Sequence, residues 1–114
     1  MKISANNFQI PKCVSIMGIK YDVEQVDDLR REDFTKLDGH IRFASTNISL
    51  EASLNPQAKL QTFAHEIIHG ILTQIGKPDA LDDSEVDALA YGIIGTLQAT
   101  EWGDGGDPET SRNL

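Results

Sequence analysis

The stretch NPQAKLQTFAHEIIHGILTQIGKP, running from Asn55 to Pro78, decides how the rest of this chain is read. Asn55 followed by Pro56 is an N-cap with proline in the first helical turn, where a missing N–H costs nothing and φ is already set. Leu60, Phe63, Ala64, Ile67, Ile68, Ile71, Leu72 and Ile75 then recur at steps of three and four, one broad apolar stripe of helical period. Gly76 closes the stripe, and Lys77-Pro78 stops the helix from continuing. The spacing predicts a capped amphipathic helix of about twenty residues.

Inside that helix lies His65-Glu66-Ile67-Ile68-His69. Two imidazoles four residues apart share one helix face, where their ring nitrogens can bind a single Zn²⁺. Glu66 stands beside the metal without binding it, placed to take a proton from water activated there. A lone histidine is most often a satisfied half-buried imidazole, but a spaced pair with an adjacent carboxylate on a capped helix favours a metal. Gly70 costs roughly 1 kcal/mol against Ala in a helix, and its expected use is to let another backbone pass close to the metal.

A catalytic zinc usually keeps three protein ligands and an open fourth position. The one other histidine, His40, lies upstream in an expected strand, so the third ligand is sought among carboxylates. A second helical pattern opens with Asp82-Asp83-Ser84, a run suited to capping and to the positive end of a helix dipole. Val86, Leu89, Ala90, Ile93, Ile94 and Leu97 carry it from about residue 83 to about residue 99. Ala88, Gly92 and Thr96 form a column of small residues expected to face the first helix. Glu85 and Asp87 lie on opposite borders of the apolar stripe, so periodicity leaves both open as the third ligand. Asp87 can instead accept a hydrogen bond from a ligating histidine and fix its tautomer. Asp82 and Asp83 are read as capping residues.

With these residues in view, the chain resembles the zincins, and more narrowly the gluzincins. Glu85-Val86-Asp87-Ala88-Leu89-Ala90-Tyr91-Gly92 is similar to their second motif, a glutamate followed by small residues, an aromatic and another small residue. The order of strands, motif helix and acidic-start helix is similar to the ImmA/IrrE-like metallopeptidases and to small zincin-like proteins of phages and mobile elements. The resemblance spans Leu60 to Ile94. It implies a zinc metallopeptidase-like protein with His65, His69 and Glu85 as metal ligands, Glu66 as general base, and a protein or peptide substrate with a regulatory role. Tyr91 is a candidate oxyanion donor, although a packing aromatic is its ordinary role. Two departures stand out: Leu89 occupies a position where relatives often carry Asp or Asn, and no histidine follows His69. They motivate an alternative, a metal-binding protein of the same fold, weak or inactive in catalysis, that acts by binding a partner.

The remainder bounds the class. At 114 residues this is read as one domain over residues 1–102, with a polar, turn-rich tail at 103–114 expected to be disordered. Val14-Ser15-Ile16 and Ile19 to Val23 alternate about Gly18, predicting a hairpin, and His40 to Ala44 and Ile48 to Leu50 read as two more strands reversing at Thr46-Asn47. Asp27 to Lys36 reads as a short polar helix. The expected fold is α+β, a short, mostly antiparallel sheet packed on two C-terminal helices, with residues 40–51 as the candidate edge for an extended peptide. A formal net charge of −8, with Arg30-Arg31 the one basic cluster, speaks against direct nucleic-acid binding. A single cysteine, Cys13, expected to be buried, and the lack of an apolar leader or membrane-length run point to the cytoplasm of a bacterial or phage-infected cell.

Overall fold

The computed structural model describes residues 9–101 and 103. Four strands precede two helices: β1 (Cys13–Ile16), β2 (Ile19–Val26), β3 (Gly39–Arg42), β4 (Asn47–Glu51), α1 (Pro56–Gln74) and α2 (Asp83–Ala99). The fold is α+β, with a four-stranded sheet in the order β1-β2-β4-β3. β1 and β2 form a hairpin whose turn residues, Met17 and Gly18, have φ of 50° and 90°. Two successive positive φ values are what a two-residue turn needs to follow the strand twist. After β2 the chain runs to the outer edge, forms β3, and turns back at Thr46 to enter β4 between β3 and β2. That path makes the central β2–β4 pairing parallel while β1–β2 and β3–β4 are antiparallel, so the sheet is mixed.

Alternation along the strands assigns the two faces. Ile16, Tyr21, Ile41, Ile48 and Leu50 turn to one face and close a core with Phe63 of α1. The other side of α1 buries Ile68 against Val86 and Ala90 of α2. α1 is therefore the middle layer, covered by the sheet on one side and by α2 on the other. Gly70 sits against the Ile16 and Ile41 side chains, with the position of an added Cβ at 2.7 and 3.2 Å from their Cδ1 atoms, so it admits side chains of the core rather than a passing backbone. The Ala88, Gly92 and Thr96 column is exposed instead of facing α1. Burying the branched stripe of Val86 and Ile94 removes more apolar surface from water than a small-residue column can.

The segment expected as a polar helix between Asp27 and Lys36 is a loop folded back on itself. Arg31 N–H donates to Thr35 O at 2.9 Å, Leu37 N–H donates to Leu29 O at 3.0 Å, and Arg30 bridges Lys36. Asp28 and Phe34 have φ of 56° and 68°, values a right-handed helix excludes. Glu51, 2% exposed at the end of β4, anchors this loop: its carboxylate accepts from Leu29 N–H at 2.8 Å and from the Ser53 N–H and hydroxyl at 3.0 and 2.9 Å. These donors, the backbone ones foremost, hold the Glu51 pKa down at about 2. Cys13 is exposed rather than buried, and the expected tail lies outside the described residues apart from Gly103. Among the described residues, no helix is long and apolar enough to cross a membrane.

Two substitutions test this packing. Ile48→Ala, at a residue with 0% exposure, should cost about 2–5 kcal/mol by chemical denaturation. Glu51→Gln should lower stability at pH 7. The Glu51 pKa is depressed in the fold, so its contribution is complete above the ordinary value of 4.5 and lost as pH falls through about 2. Denaturation curves of wild type and variant should therefore converge towards pH 2.

Candidate metal centre

Two pairs of side chains with the same spacing meet between the helices. His65 and His69 stand one turn apart on α1, and Asp83 and Asp87 stand one turn apart on α2. The helices run antiparallel, so His69 meets Asp83 and His65 meets Asp87. His69 Nε2 lies 2.9 Å from Asp83 Oδ1 and 3.0 Å from His65 Nε2, and His65 Nε2 lies 3.6 Å from Asp83 Oδ1. His65 Nδ1–H donates to Asp87 Oδ1 at 2.6 Å, which turns the Nε2 lone pair of that ring towards His69 and Asp83.

These donor atoms fit a zinc ion. Zn²⁺ bound at 2.0–2.1 Å in tetrahedral geometry spaces its nitrogen and oxygen ligands roughly 3.3 Å apart. The three atoms form a triangle with sides of 2.9, 3.0 and 3.6 Å. Two neutral imidazoles and one carboxylate are also a donor set suited to that metal. Asp83 and Asp87 remain largely exposed and His65 and His69 mostly covered, so one side of the triangle opens to solvent.

That open side faces a cleft of about 420 Å³ between α1 and the free edge of β3, with Glu66 in its wall. Glu66 is 7% exposed because β3 passes directly over it at Gly39: a Cβ there would stand 2.5 Å from Thr62 Cγ2 and 3.3 Å from Glu66 Cγ. Only glycine allows that approach. Burial pushes the Glu66 carboxyl up to about 7, opposed by His65 and reinforced by Asp83 and Asp87. A carboxyl tuned to that range can both accept and return a proton near neutrality. The backbone of β3 completes the cleft. Glu51 N–H donates to Asp38 O at 2.8 Å, so by the alternation of an antiparallel ladder the next hydrogen-bonded pairs are His40–Ser49 and Arg42–Asn47. Gly39 and Ile41 consequently turn their N–H and C=O groups to the free edge.

The expected site residues are distributed as follows. His65, Glu66, His69 and Asp87 all line the cleft. Glu85 does not: its Oε1 accepts from Asp82 N–H at 3.0 Å while Asp82 Oδ1 accepts from Glu85 N–H at 2.8 Å, a closed capping box. Two residues from Asp83, it points roughly 200° around the helix from the histidines. Asp83, read from the sequence as a capping residue, is the carboxylate that joins the two histidines in a group able to hold a metal ion. Its signal in the sequence was the four-residue step from Asp83 to Asp87, which repeats the step from His65 to His69. Tyr91 is 65% exposed and lines a neighbouring hollow with Asp87 and Gln61 rather than the cleft itself. No protein-family model, curated protein or solved structure matches this chain.

Zinc titration of protein prepared without a polyhistidine tag should show one equivalent bound. His65→Ala and His69→Ala should each abolish it, Asp83→Asn should weaken it, and Asp87→Asn should lower affinity by about 10–100-fold. Glu85→Gln should keep zinc affinity and, because the glutamine amide oxygen still accepts from Asp82 N–H, should cost less than about 1 kcal/mol of stability. Zinc lost with Glu85→Gln and retained with Asp83→Asn would reverse the assignment.

Proposed function

We propose that this protein is a zinc-dependent, zincin-like hydrolase of peptide bonds, with His65, His69 and Asp83 holding the metal and Glu66 as general base. The observation that carries the reading is the convergence of His65 Nε2, His69 Nε2 and Asp83 Oδ1 within 3.6 Å of one another beside the buried carboxyl of Glu66. His65, His69 and Asp83 would hold the zinc ion, which would supply Lewis acidity for a scissile carbonyl and for water. Glu66 takes the proton of the attacking water and passes it to the departing amine. Asp87 holds His65 in the tautomer that presents Nε2 to the metal. The free backbone groups of Gly39 and Ile41 hold an extended substrate by main-chain hydrogen bonds along β3, and Gly39 lets that strand pass close over Glu66. On this reading the protein acts on protein or peptide substrates in the cytoplasm.

An alternative is a partner-binding role for the same fold. It is favoured by a largely apolar groove of about 250 Å³ between α1 and α2, lined by Leu60, Ile67, Ile71, Ile93 and Leu97 among others, with Gln98 at its border. Glu66→Gln separates the two. With zinc retained, hydrolysis of a mixed peptide pool should fall by about 10²–10⁴-fold. A pool that neither wild type nor variant cleaves, with the biological effect of the protein intact in Glu66→Gln, would leave the partner-binding reading standing alone.

A further inference from the structure

A second hollow, of about 720 Å³, adjoins the cleft across β3 and shares Arg31 and His40 with it. Arg31 is the one Lys or Arg side chain lining the cleft. Among the described residues its guanidinium has no hydrogen-bond or ion-pair partner. Its neighbour Arg30 is different, being tied to Asp28 at 3.0 Å and to Phe34 O at 2.9 Å. Arg42, which lines the hollow, donates to Asn47 Oδ1 at 3.0 Å and Ser49 Oγ at 3.5 Å, and those two side chains in turn donate to Glu24 Oε1 at 3.2 and 2.8 Å. His40 Nδ1 is buried without a partner, and burial together with Arg42 and Arg31 holds the imidazole below its ordinary pKa, so the positive charge is concentrated on the two guanidiniums. Glu32 and Asp33 also line the hollow without reaching the cleft; Asp33 accepts from Thr35 N–H at 3.0 Å, and the Arg31 charge helps to hold its carboxyl below the ordinary value.

In a chain of net charge −8, two guanidiniums to which no carboxylate is hydrogen-bonded make this side of the cleft the place where an anion is best received. The strand geometry says where such an anion would come from. A peptide paired along β3 points alternate side chains to opposite faces of the sheet. Those on the Ile41 face meet α1 and the metal centre. Those between them emerge on the face of His40 and Arg42.

We propose that Arg31, backed by Arg42 and His40, forms a carboxylate-accepting subsite that selects peptides bearing Asp or Glu one residue away from a position facing the metal centre. The inference rests on the edge-strand reading above and extends it to substrate specificity. Arg31 belongs to the loop that Glu51 anchors through Leu29, so the guanidinium is carried on a tethered segment rather than a free one.

The test uses the full chain with Glu66→Gln, zinc-loaded to prevent turnover, and amino-terminally labelled octapeptides of mixed sequence with Glu, Gln or Lys fixed at one central position. Each set is made with a free and with an amidated C-terminus. The Glu set should bind about tenfold more tightly than the Gln set, with the gap shrinking as salt is raised. Arg31→Gln should erase the gap without changing the melting temperature. Arg42→Gln should narrow it. Equal binding of the Glu and Gln sets, an undiminished gap in Arg31→Gln, a preference that follows the free C-terminus instead of the internal Glu, or no binding by any set would overturn the proposal. Cleavage of the same peptides by wild type reports separately on the hydrolase reading. Acid-selective binding without cleavage defeats only the catalytic assignment, and cleavage without acid preference defeats only the subsite.

Discussion

The antiparallel contact between α1 and α2 is the constraint on which the rest of this molecule depends. Val86 and Ala90, both fully buried against Ile68, set how far the two helices slide past each other. That register brings the four-residue step of His65 and His69 opposite the four-residue step of Asp83 and Asp87. A slip of one residue along α2 would rotate its acidic pair by about 100° and take the carboxylates away from the imidazoles. The polar cluster at the helix border is therefore a consequence of how a few apolar side chains pack beneath it.

The sheet performs a different task. Its apolar face holds α1 through Phe63, and its edge strand β3 runs over Glu66 because Gly39 has no side chain to obstruct it. Burial of a carboxyl beside two histidines and two aspartates costs free energy in the absence of positive charge. The fold tolerates that cost where α1, β3 and α2 meet, which is how strain and unsatisfied electrostatics concentrate at sites that bind or react. The same edge leaves backbone groups unpaired, and on the proposed reading they are the seat of the substrate. The carboxylate of Glu51 holds the loop from Leu29 to Leu37 against the far side of the sheet, so one buried acid at the end of β4 organises the wall beyond that edge.

Much of this was legible in the sequence where the signal is local. Asn55-Pro56, the apolar stripe and Gly76-Lys77-Pro78 delimit α1 because caps and helical period act over a few residues. Gly18, between two alternating stretches, announces its hairpin for the same reason. The segment from Asp27 to Lys36 reads as helix but folds as a loop, with Asp28 and Phe34 left-handed and Leu29 N–H captured by Glu51, a residue of a strand more than twenty positions away. The parallel β2–β4 pairing was hidden for a similar reason: hairpin signals report adjacent strands and say nothing about a strand inserted between two others.

The sequence by itself determined that two histidines share one face of a capped helix with a glutamate beside them, and that an acidic helix follows within reach. Only the tertiary structure decided which acid meets them. Glu85 and Asp83 both belong to the first turn of α2, and local chemistry offers either one as a cap. The capping box closes on Glu85 because its longer side chain reaches back to the Asp82 N–H, while helix packing turns the opposite side of that turn, with Asp83, towards His69. Choosing between two carboxylates two residues apart takes the rotation of one helix against another, and that rotation is set by apolar contacts far from either of them in the chain.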